Sequence, residues 1–270
     1  MNPVKKYLLP QMQVLFANKQ LILVMARREV QGQYTGSFLG VVWTFINPMV
    51  LIFVFWFVFS VGFKARPMNN VPFVVWLTAG MMPWFLFADI MTTSVTSVVA
   101  NVNLIKKTMF PSPILPLVRI GSALVTHGIF LCLLFLLLGL QHISLSWYVM
   151  QFLYYNFCLC CLALGLGWMV AALNVFVRDV AHIVGVIIQI GFWVTPIFWD
   201  IHIMSPKIQL LLKLNPINYI VQGYRDSFIY GIGFWHHPYQ FIYFWIVCSL
   251  SLIAGAYVFH RLRPQFADVL

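Results

Sequence analysis

Charged side chains are scarce in this sequence of 270 residues. Lysine, arginine, aspartate and glutamate together make up 8% of the chain, whereas hydrophobic residues make up 62%, and the mean hydropathy is +0.90. A soluble domain has about a quarter of its residues charged, because its surface faces water. The composition therefore excludes an ordinary soluble protein and predicts an all-α integral membrane protein with one domain over residues 1–270.

Acidic residues are especially few, and the chain has only six. Membrane enzymes that transfer sugars or lipids usually need acidic residues that bind a metal or activate a nucleophile, and here the acidic residues lie in separate segments. We expect no catalytic residue and no metal site on this chain. A polytopic membrane transferase for glycosyl or lipid groups is the less favoured alternative.

Cysteine is also sparse, and its pattern indicates neither a disulfide framework nor zinc. All five cysteines lie in apolar runs, where they act as small packing residues.

The net charge of +10 comes from basic residues in short segments between those runs. That placement is typical of a membrane protein, so we expect no nucleic-acid partner, and no removable signal peptide is expected either.

Six apolar runs are long enough to cross a membrane, which needs about 20 residues. An even number of crossings puts both termini on one side. Loops on that side hold ten of the sixteen basic residues and the other loops hold five, so the positive-inside rule predicts cytoplasmic termini. The predicted transmembrane helices are residues 41–63, 73–100, 114–139, 147–173, 180–199 and 238–259.

Three segments lie outside these runs. Residues 12–30 mix apolar and basic residues at near-helical spacing, which predicts an amphipathic helix in the membrane interface. Residues 101–113 form a basic turn long enough for a short helix. Residues 200–237 contain two apolar runs that are too short to cross and that begin near Pro206 and Pro216. A pair of short re-entrant or interface helices fits this outer segment, which makes it a candidate gate.

Asp89 is the one acidic residue well inside a predicted span, followed by a stretch rich in threonine and serine. A lone intramembrane carboxylate is a functional hypothesis by default; the alternative is a carboxylate near the interface that hydroxyl groups satisfy. Aromatic residues make up 17% of the chain. They serve as interfacial anchors and lipid-facing bulk, or as a lining on which sugar rings stack. The candidates for such a lining are Trp84, Phe85, Trp193 and Trp199.

Several stretches, taken in order, carry a family resemblance. They are Tyr34 to Trp43 with Asn47-Pro48, Gly80 to Trp84, Asn101 to Lys107 with Phe110-Pro111, Leu173 to Asp179, Thr195 to Ile197, and Leu214 to Pro216 with Tyr224-Arg225. In this order and spacing the chain resembles the permease subunit of ABC exporters for lipid-linked polysaccharides, which export O-antigens, capsules and teichoic acids.

The resemblance implies a homodimer of six-helix subunits in the bacterial inner membrane, surrounded by membrane lipid and bound to two copies of a cytoplasmic ABC ATPase. The sequence lacks a Gly-x-x-x-x-Gly-Lys-Ser/Thr phosphate loop, so ATP and Mg²⁺ belong to that partner and this chain binds no cofactor. The implied substrate is a polyprenyl-diphosphate-linked polysaccharide, with an O-antigen favoured. The alternative is a permease that exports a small drug or a lipid.

The resemblance also implies roles for individual residues. A cytoplasmic coupling helix between spans two and three would dock in the ATPase. Basic residues and glycines near the first span would meet the diphosphate. The alternatives are that the basic residues are only positive-inside charge and that the glycines (Gly32, Gly36 and Gly40) form a helix-packing stripe. The short outer helices would form the gate. The residues assigned are Asn101, Asn103, Leu104, Ile105, Lys106, Lys107 and Phe110 for coupling; Arg27, Arg28, Gly36, Leu39 and Gly40 for the diphosphate; and Pro216, Tyr224 and Arg225 for the gate.

Overall fold

The computed structural model describes residues 4–32, 40–64, 71–107 and 110–270. Over these ranges the chain is helical almost throughout and contains no β-strand, so the all-α prediction is confirmed. The α-helices are α1 (Leu9–Ala17), α2 (Lys19–Gly32), α3 (Trp43–Trp56), α4 (Phe73–Ala100), α5 (Val102–Lys107), α6 (Leu115–Leu140), α7 (Phe152–Phe176), α8 (Asp179–Val194), α9 (Pro206–Lys213), α10 (Pro216–Arg225), α11 (Pro238–Leu262) and α12 (Phe266–Val269).

Five helical segments of the described chain are long and apolar enough to cross a membrane, rather than the six expected. The run predicted over residues 180–199 contains α8, which has 16 residues and is therefore about 24 Å long. Thr195 is extended, because a residue that precedes a proline is disfavoured in the α conformation. The five segments are Phe45–Gly62, Phe73–Ala100, Ser112–Leu140, Trp147–Phe176 and Pro238–Val269.

The N-terminal region forms two helices where the sequence predicts one over residues 12–30. Asn18 separates α1 from α2: its side-chain Nδ2 donates to the carbonyl oxygen of Val14 at 2.8 Å, and its backbone N–H bonds the last turn of α1. Asparagine favours such breaks, since its short side chain competes for backbone groups. The helix α1 then packs on α11, where Gln11 Nε2 donates to the carbonyl oxygen of Ala256 at 3.0 Å.

The two chain ends meet at one end of the bundle. The Tyr7 ring lies 5.0 Å from that of Tyr257, between centroids, and the Phe266 ring in α12 contacts Phe176 and Phe259. The same α12 packs against α5. The N-terminal segment, the C-terminal helix and α5 are therefore at the same end.

The helix α4 forms the centre of the bundle and packs on α6, α7, α8 and α10. Beside it, α7 and α11 approach with their backbones in contact. A Cβ atom added at Gly165 would lie 2.6 Å from the backbone nitrogen of Leu252, and one added at Gly255 would overlap the Gly165 carbonyl oxygen. Small residues permit this close approach of membrane helices.

Two helices remain largely uncovered within the single chain. Only 11% of the most apolar part of the first span, which includes α3, is buried, and Val184 is the only buried residue of α8. The exposed side chains on both helices are predominantly large and apolar. These faces must be covered by lipid or by another protein surface.

Candidate functional site

The short helices of the outer segment begin at Pro206 and Pro216, the two positions that the sequence indicates. Proline suits the first turn of a helix because its missing N–H would be unsatisfied there anyway. Asn215 caps α10 by accepting a hydrogen bond from the backbone N–H of Ile217 at 3.0 Å. Its Nδ2 also donates to Thr195 Oγ1 at 2.9 Å, so the start of α10 is tied to the end of α8.

The helix α10 is buried in the bundle rather than lying on its surface. The Tyr224 hydroxyl lies 2.9 Å from His127 Nε2, and His127 is midway along α6. One residue earlier, Gly223 faces the Tyr155 ring so closely that any side chain there would overlap it. The end of α10 therefore reaches the level of the middle of a membrane span without crossing the bundle.

Arg225 is the strongest link between α10 and its surroundings, and it is only 3% exposed. Its Nη1 donates to the carbonyl oxygen of Pro196 at 2.8 Å, and its Nη2 donates to that of Ile197 at 2.5 Å. The guanidinium carbon is 3.5 Å from the centroid of the Trp76 ring. A buried charge needs such compensation, and two carbonyl groups and an aromatic face provide it here.

Gly80 leaves the space that the guanidinium occupies. A Cβ atom at Gly80 would lie 2.5 Å from Arg225 Nη2. The family resemblance includes both the stretch Gly80 to Trp84 and the pair Tyr224-Arg225. The contact between Gly80 and Arg225 joins them in one structural unit. This pairing is not visible in the sequence, because 145 positions separate the two residues along the chain.

A polar cavity of about 290 Å³ lies beside Arg225. Asp226 is buried at its edge and accepts a hydrogen bond from Gln222 Nε2 at 3.0 Å, while its Oδ2 is 3.2 Å from His237 Nε2. That contact is an ion pair when the His237 ring is protonated. The cavity is lined by Trp76, Pro196, Asp200, Ile201, His202, Gln222, Arg225, Asp226, Tyr230, Ile232 and His237.

The Asp226 carboxylate raises the pKa of His237, mainly through their hydrogen bond, while partial burial and Lys213 lower it. A group whose pKa is raised on folding stabilises the protein below its unfolded value, and this stabilisation is lost as the pH rises through the folded value. The other titratable groups nearby are Asp200, His202, Lys213, Arg225, Tyr230 and His236.

We expect the purified protein to melt about 2–4 °C lower at about pH 9 than at about pH 6 because of this pair. The effect is small because a third of the His237 side chain is exposed and water screens the pair. Thermal unfolding of the His237→Gln variant measures it: the variant should lose this part of the pH dependence, whereas His202→Gln should retain it. An unchanged pH profile for His237→Gln would refute the assignment.

The predicted coupling segment forms a shorter helix than residues 101–113, namely α5. Asn101 makes the turn into it: its Nδ2 donates to the carbonyl oxygen of Ser97 at 2.8 Å, and its own carbonyl oxygen accepts from Leu104 and Ile105. Of the assigned residues, Asn103, Leu104 and Lys106 are exposed, whereas Asn101, Ile105 and Phe110 are half-buried. The Lys107 side chain lies outside the described part of the structure.

The residues assigned to the diphosphate are described only in part, since Gly36 and Leu39 lie outside the described residues. Arg27 and Arg28 are exposed on α2, and the next residue, Glu29, pairs with Arg119 of α6. Gly40 has a φ of +49°, which favours glycine and is not α-helical. Gly40 therefore does not belong to an α-helical stripe of glycines.

The four aromatic candidates differ in exposure. Trp84 is 4% exposed, and its ring fills the notch at Gly191 of α8, so within the single chain it packs helices together. Phe85 and Trp199 are half-buried, and Trp199 Nε1 donates to the Trp193 carbonyl oxygen at 3.3 Å. Trp193 is 57% exposed and is the one with an accessible ring.

Asp89 lies half-buried at a cavity of about 370 Å³ between α3, α4 and α6. The hydroxyl groups of Thr92, Thr93, Thr96 and Ser97 bond backbone instead, as when Thr93 Oγ1 donates to the Asp89 carbonyl oxygen at 2.7 Å. His127 also lines this cavity, and it links the cavity to Tyr224 of α10. His127 is the one histidine of the predicted span 114–139, and an ionisable residue inside a span indicates a functional position. The sequence prediction of the site did not include it.

Comparison with known proteins assigns the chain to a family. Residues 20–229 match the ABC-2 type transporter family. Two proteins of Klebsiella pneumoniae called O-antigen export system permease protein RfbA are 28% and 26% identical, over 93% of this chain and 95% of theirs. The Polysialic acid transport protein KpsM of Escherichia coli is 21% identical over 76% of this chain and 79% of its own. Because the family match covers most of the sequence, this chain belongs to the ABC-2 type transporter family.

Proposed function

We propose that this chain is the membrane-spanning subunit of an ATP-driven exporter, which moves a polyprenyl-diphosphate-linked polysaccharide of the O-antigen type across the bacterial inner membrane. The observation that carries the proposal is the similarity to proteins named O-antigen export permeases over 93% of the chain. A separate ABC ATPase, in two copies, supplies the energy. A small-molecule or lipid exporter of the same architecture is the alternative that a substrate assay distinguishes.

In this proposal α8 is a sixth crossing and both termini are cytoplasmic. The contact between Tyr7 and Tyr257 supports it, because chain ends that meet at one end of a bundle require an even number of crossings. Five long spans alone would leave the ends on opposite sides. The segment from Thr195 to Trp199, which continues from α8, adds the length that α8 lacks.

The exposed faces of α3 and α8 would form the contact with a second copy of this chain. Ile183, Ile187, Ile190 and Val194 follow helical spacing along α8, and all are at least 46% exposed. A dimer built on these faces would place Trp193 near its centre. Sugar rings can slide along such aromatic surfaces, since every ring face offers a similar apolar contact.

The coupling helix α5 would transmit ATPase movement to the bundle. Its residues Asn103, Leu104 and Lys106 are exposed, and α12 packs against it. A short helix held rigidly in this way acts as a lever. At the other end, α10 would act as the gate, held by Arg225 against the turn that follows α8.

Arg27 and Arg28 would receive the substrate diphosphate. Arginine suits this role because its planar fork donates two hydrogen bonds to phosphate oxygens. Both side chains are exposed, and neither forms an ion pair with the described residues. Asp89 would face the transport route through its cavity rather than lipid.

The test is export by the chain together with its ATPase in proteoliposomes that contain a polyprenyl-diphosphate glycan. We expect Leu104→Pro to reduce export about tenfold or more, since proline removes the Leu104 N–H that donates to the carbonyl oxygen of Asn101 where α5 begins, and its ring crowds the carbonyl group four residues earlier. The glycan-lipid should also cease to stimulate ATP hydrolysis.

Leu104→Ala is the matched control, because it shortens the same side chain but keeps the α5 helix; it should reduce transport much less than Leu104→Pro does. Wild-type export by Leu104→Pro at normal protein level would contradict the role of α5. Transport of an unrelated drug or lipid with no response to the glycan-lipid would contradict the substrate.

A further inference from the structure

A long apolar groove runs between the N-terminal helices and the membrane spans α6 and α7. Its volume is about 650 Å³, and it is larger than the cavities beside Arg225 and Asp89. The groove is lined by Met12, Leu15, Phe16, Lys19, Ile22, Leu23, Leu117, Ile120, Gly121, Leu124, Leu153, Asn156, Phe157, Cys160, Cys161 and Leu164.

The groove has the length of one membrane leaflet. Its lining on α7 extends from Leu153 to Leu164, which is about 16 Å at the helical rise of 1.5 Å per residue. Half of the hydrocarbon core of a bilayer is about 15 Å thick. A single acyl chain that lies along α7 matches this dimension, whereas a polyprenyl chain is much longer.

The only charged residue of the lining is Lys19, at the joint between α1 and α2. It is exposed and forms no ion pair within the described residues. Arg27 follows eight positions later, so that Lys19, Leu23 and Arg27 share one face of α2. On this side Leu23 and Phe16 are 69% and 73% exposed, and exposed apolar residues beside cations are typical of a helix at an anionic lipid surface.

We propose that this groove binds one anionic phospholipid of the cytoplasmic leaflet. One acyl chain lies between α6 and α7, and the phosphate is held by Lys19, the one cation of the lining. A second copy of this chain is a poor occupant, because the uncovered faces of α3 and α8 contribute nothing to the lining. The proposal does not depend on what the protein exports.

The physical consequence is a clamp on the N-terminal helices. A chain packed in the groove would contact α1, α6 and α7 together, and would add to the single ion pair by which Glu29 of α2 holds Arg119 of α6. A bound lipid would therefore fix α2 relative to the bundle.

The test is native mass spectrometry of the full-length chain with its ATPase, purified in detergent with added phosphatidylglycerol or with phosphatidylcholine of the same acyl chains. We expect the wild type to retain one phosphatidylglycerol per chain and about fivefold less phosphatidylcholine. Lys19→Gln should lower phosphatidylglycerol retention about fivefold. Cys161→Phe, which fills the groove, should lower retention of both lipids.

Two controls match these variants. Lys207→Gln removes an exposed lysine from α9, and Leu250→Phe enlarges an exposed residue on α11; both should retain lipid as the wild type does. Equal retention of the two phospholipids, or full retention by Cys161→Phe, would overturn the proposal. Displacement of phosphatidylglycerol by an equal number of undecaprenyl phosphate molecules would also overturn it, because the groove would then hold the carrier lipid.

Discussion

Arg225→Gln is expected to abolish export and to lower the thermal unfolding midpoint by about 6 °C or more. The arginine gives hydrogen bonds to the carbonyl oxygens of Pro196 and Ile197 and stacks on Trp76. Each hydrogen bond from a charged group contributes about 1.5–3 kcal/mol, and about 1 kcal/mol shifts the midpoint by about 2–4 °C for a chain of this size. Glutamine cannot reach both carbonyl groups from the same position.

The physical result is a loss of the connection between α10 and the turn after α8. Arg225→Lys keeps the charge but not the planar fork, so it should remain strongly impaired. Arg178→Gln is the matched control, since it removes an exposed arginine and should leave the midpoint unchanged. Wild-type melting and export by Arg225→Gln would show that the connection is dispensable.

Gly255→Val is expected to reduce the yield of folded protein in the membrane about tenfold or more. A Cβ atom at Gly255 overlaps the carbonyl oxygen of Gly165, so α7 and α11 must separate along their whole contact. Overpacking within a core costs about 1–3 kcal/mol when side chains can adjust. Here the opposing atoms belong to the backbone, which cannot rotate away. The loss of stability is therefore about 3 kcal/mol or more.

Fluorescence-detected size exclusion of a tagged protein measures this yield. Gly128→Val is the matched control: Gly128 lies in a membrane helix, and nothing lies within 4 Å of where its Cβ atom would be. The control should accumulate as the wild type does. Equal yields for Gly255→Val and the wild type would show that the two helices do not depend on this contact.

The features that the sequence predicted correctly are properties of local segments. Long apolar runs must be helices in a membrane because no water is there to satisfy the backbone. The starts of α9 and α10 were readable because proline at Pro206 and Pro216 favours a first helical turn. The turn at Asn101 was recognisable as a break between a span and a short basic helix.

The features that the sequence missed depend on which helix faces which. The spans are apolar on all sides, so periodicity does not indicate which face of α4 or α7 is buried. Trp84 was therefore a candidate for a channel lining, although within the single chain it fills a notch in α8. The length of α8 was overestimated because an apolar run continues past Thr195, where the backbone becomes extended.

By itself, the sequence determined that the protein is a helical membrane protein of a recognisable exporter family, since composition, run length and motif order are properties of the chain alone. Only the tertiary structure decided that Arg225 holds the turn after α8, that Gly165 meets Gly255, and that α2 borders a groove of one leaflet's length. Such contacts join residues that are tens to hundreds of positions apart. They depend on the packing of side-chain shapes in three dimensions, which linear patterns do not contain.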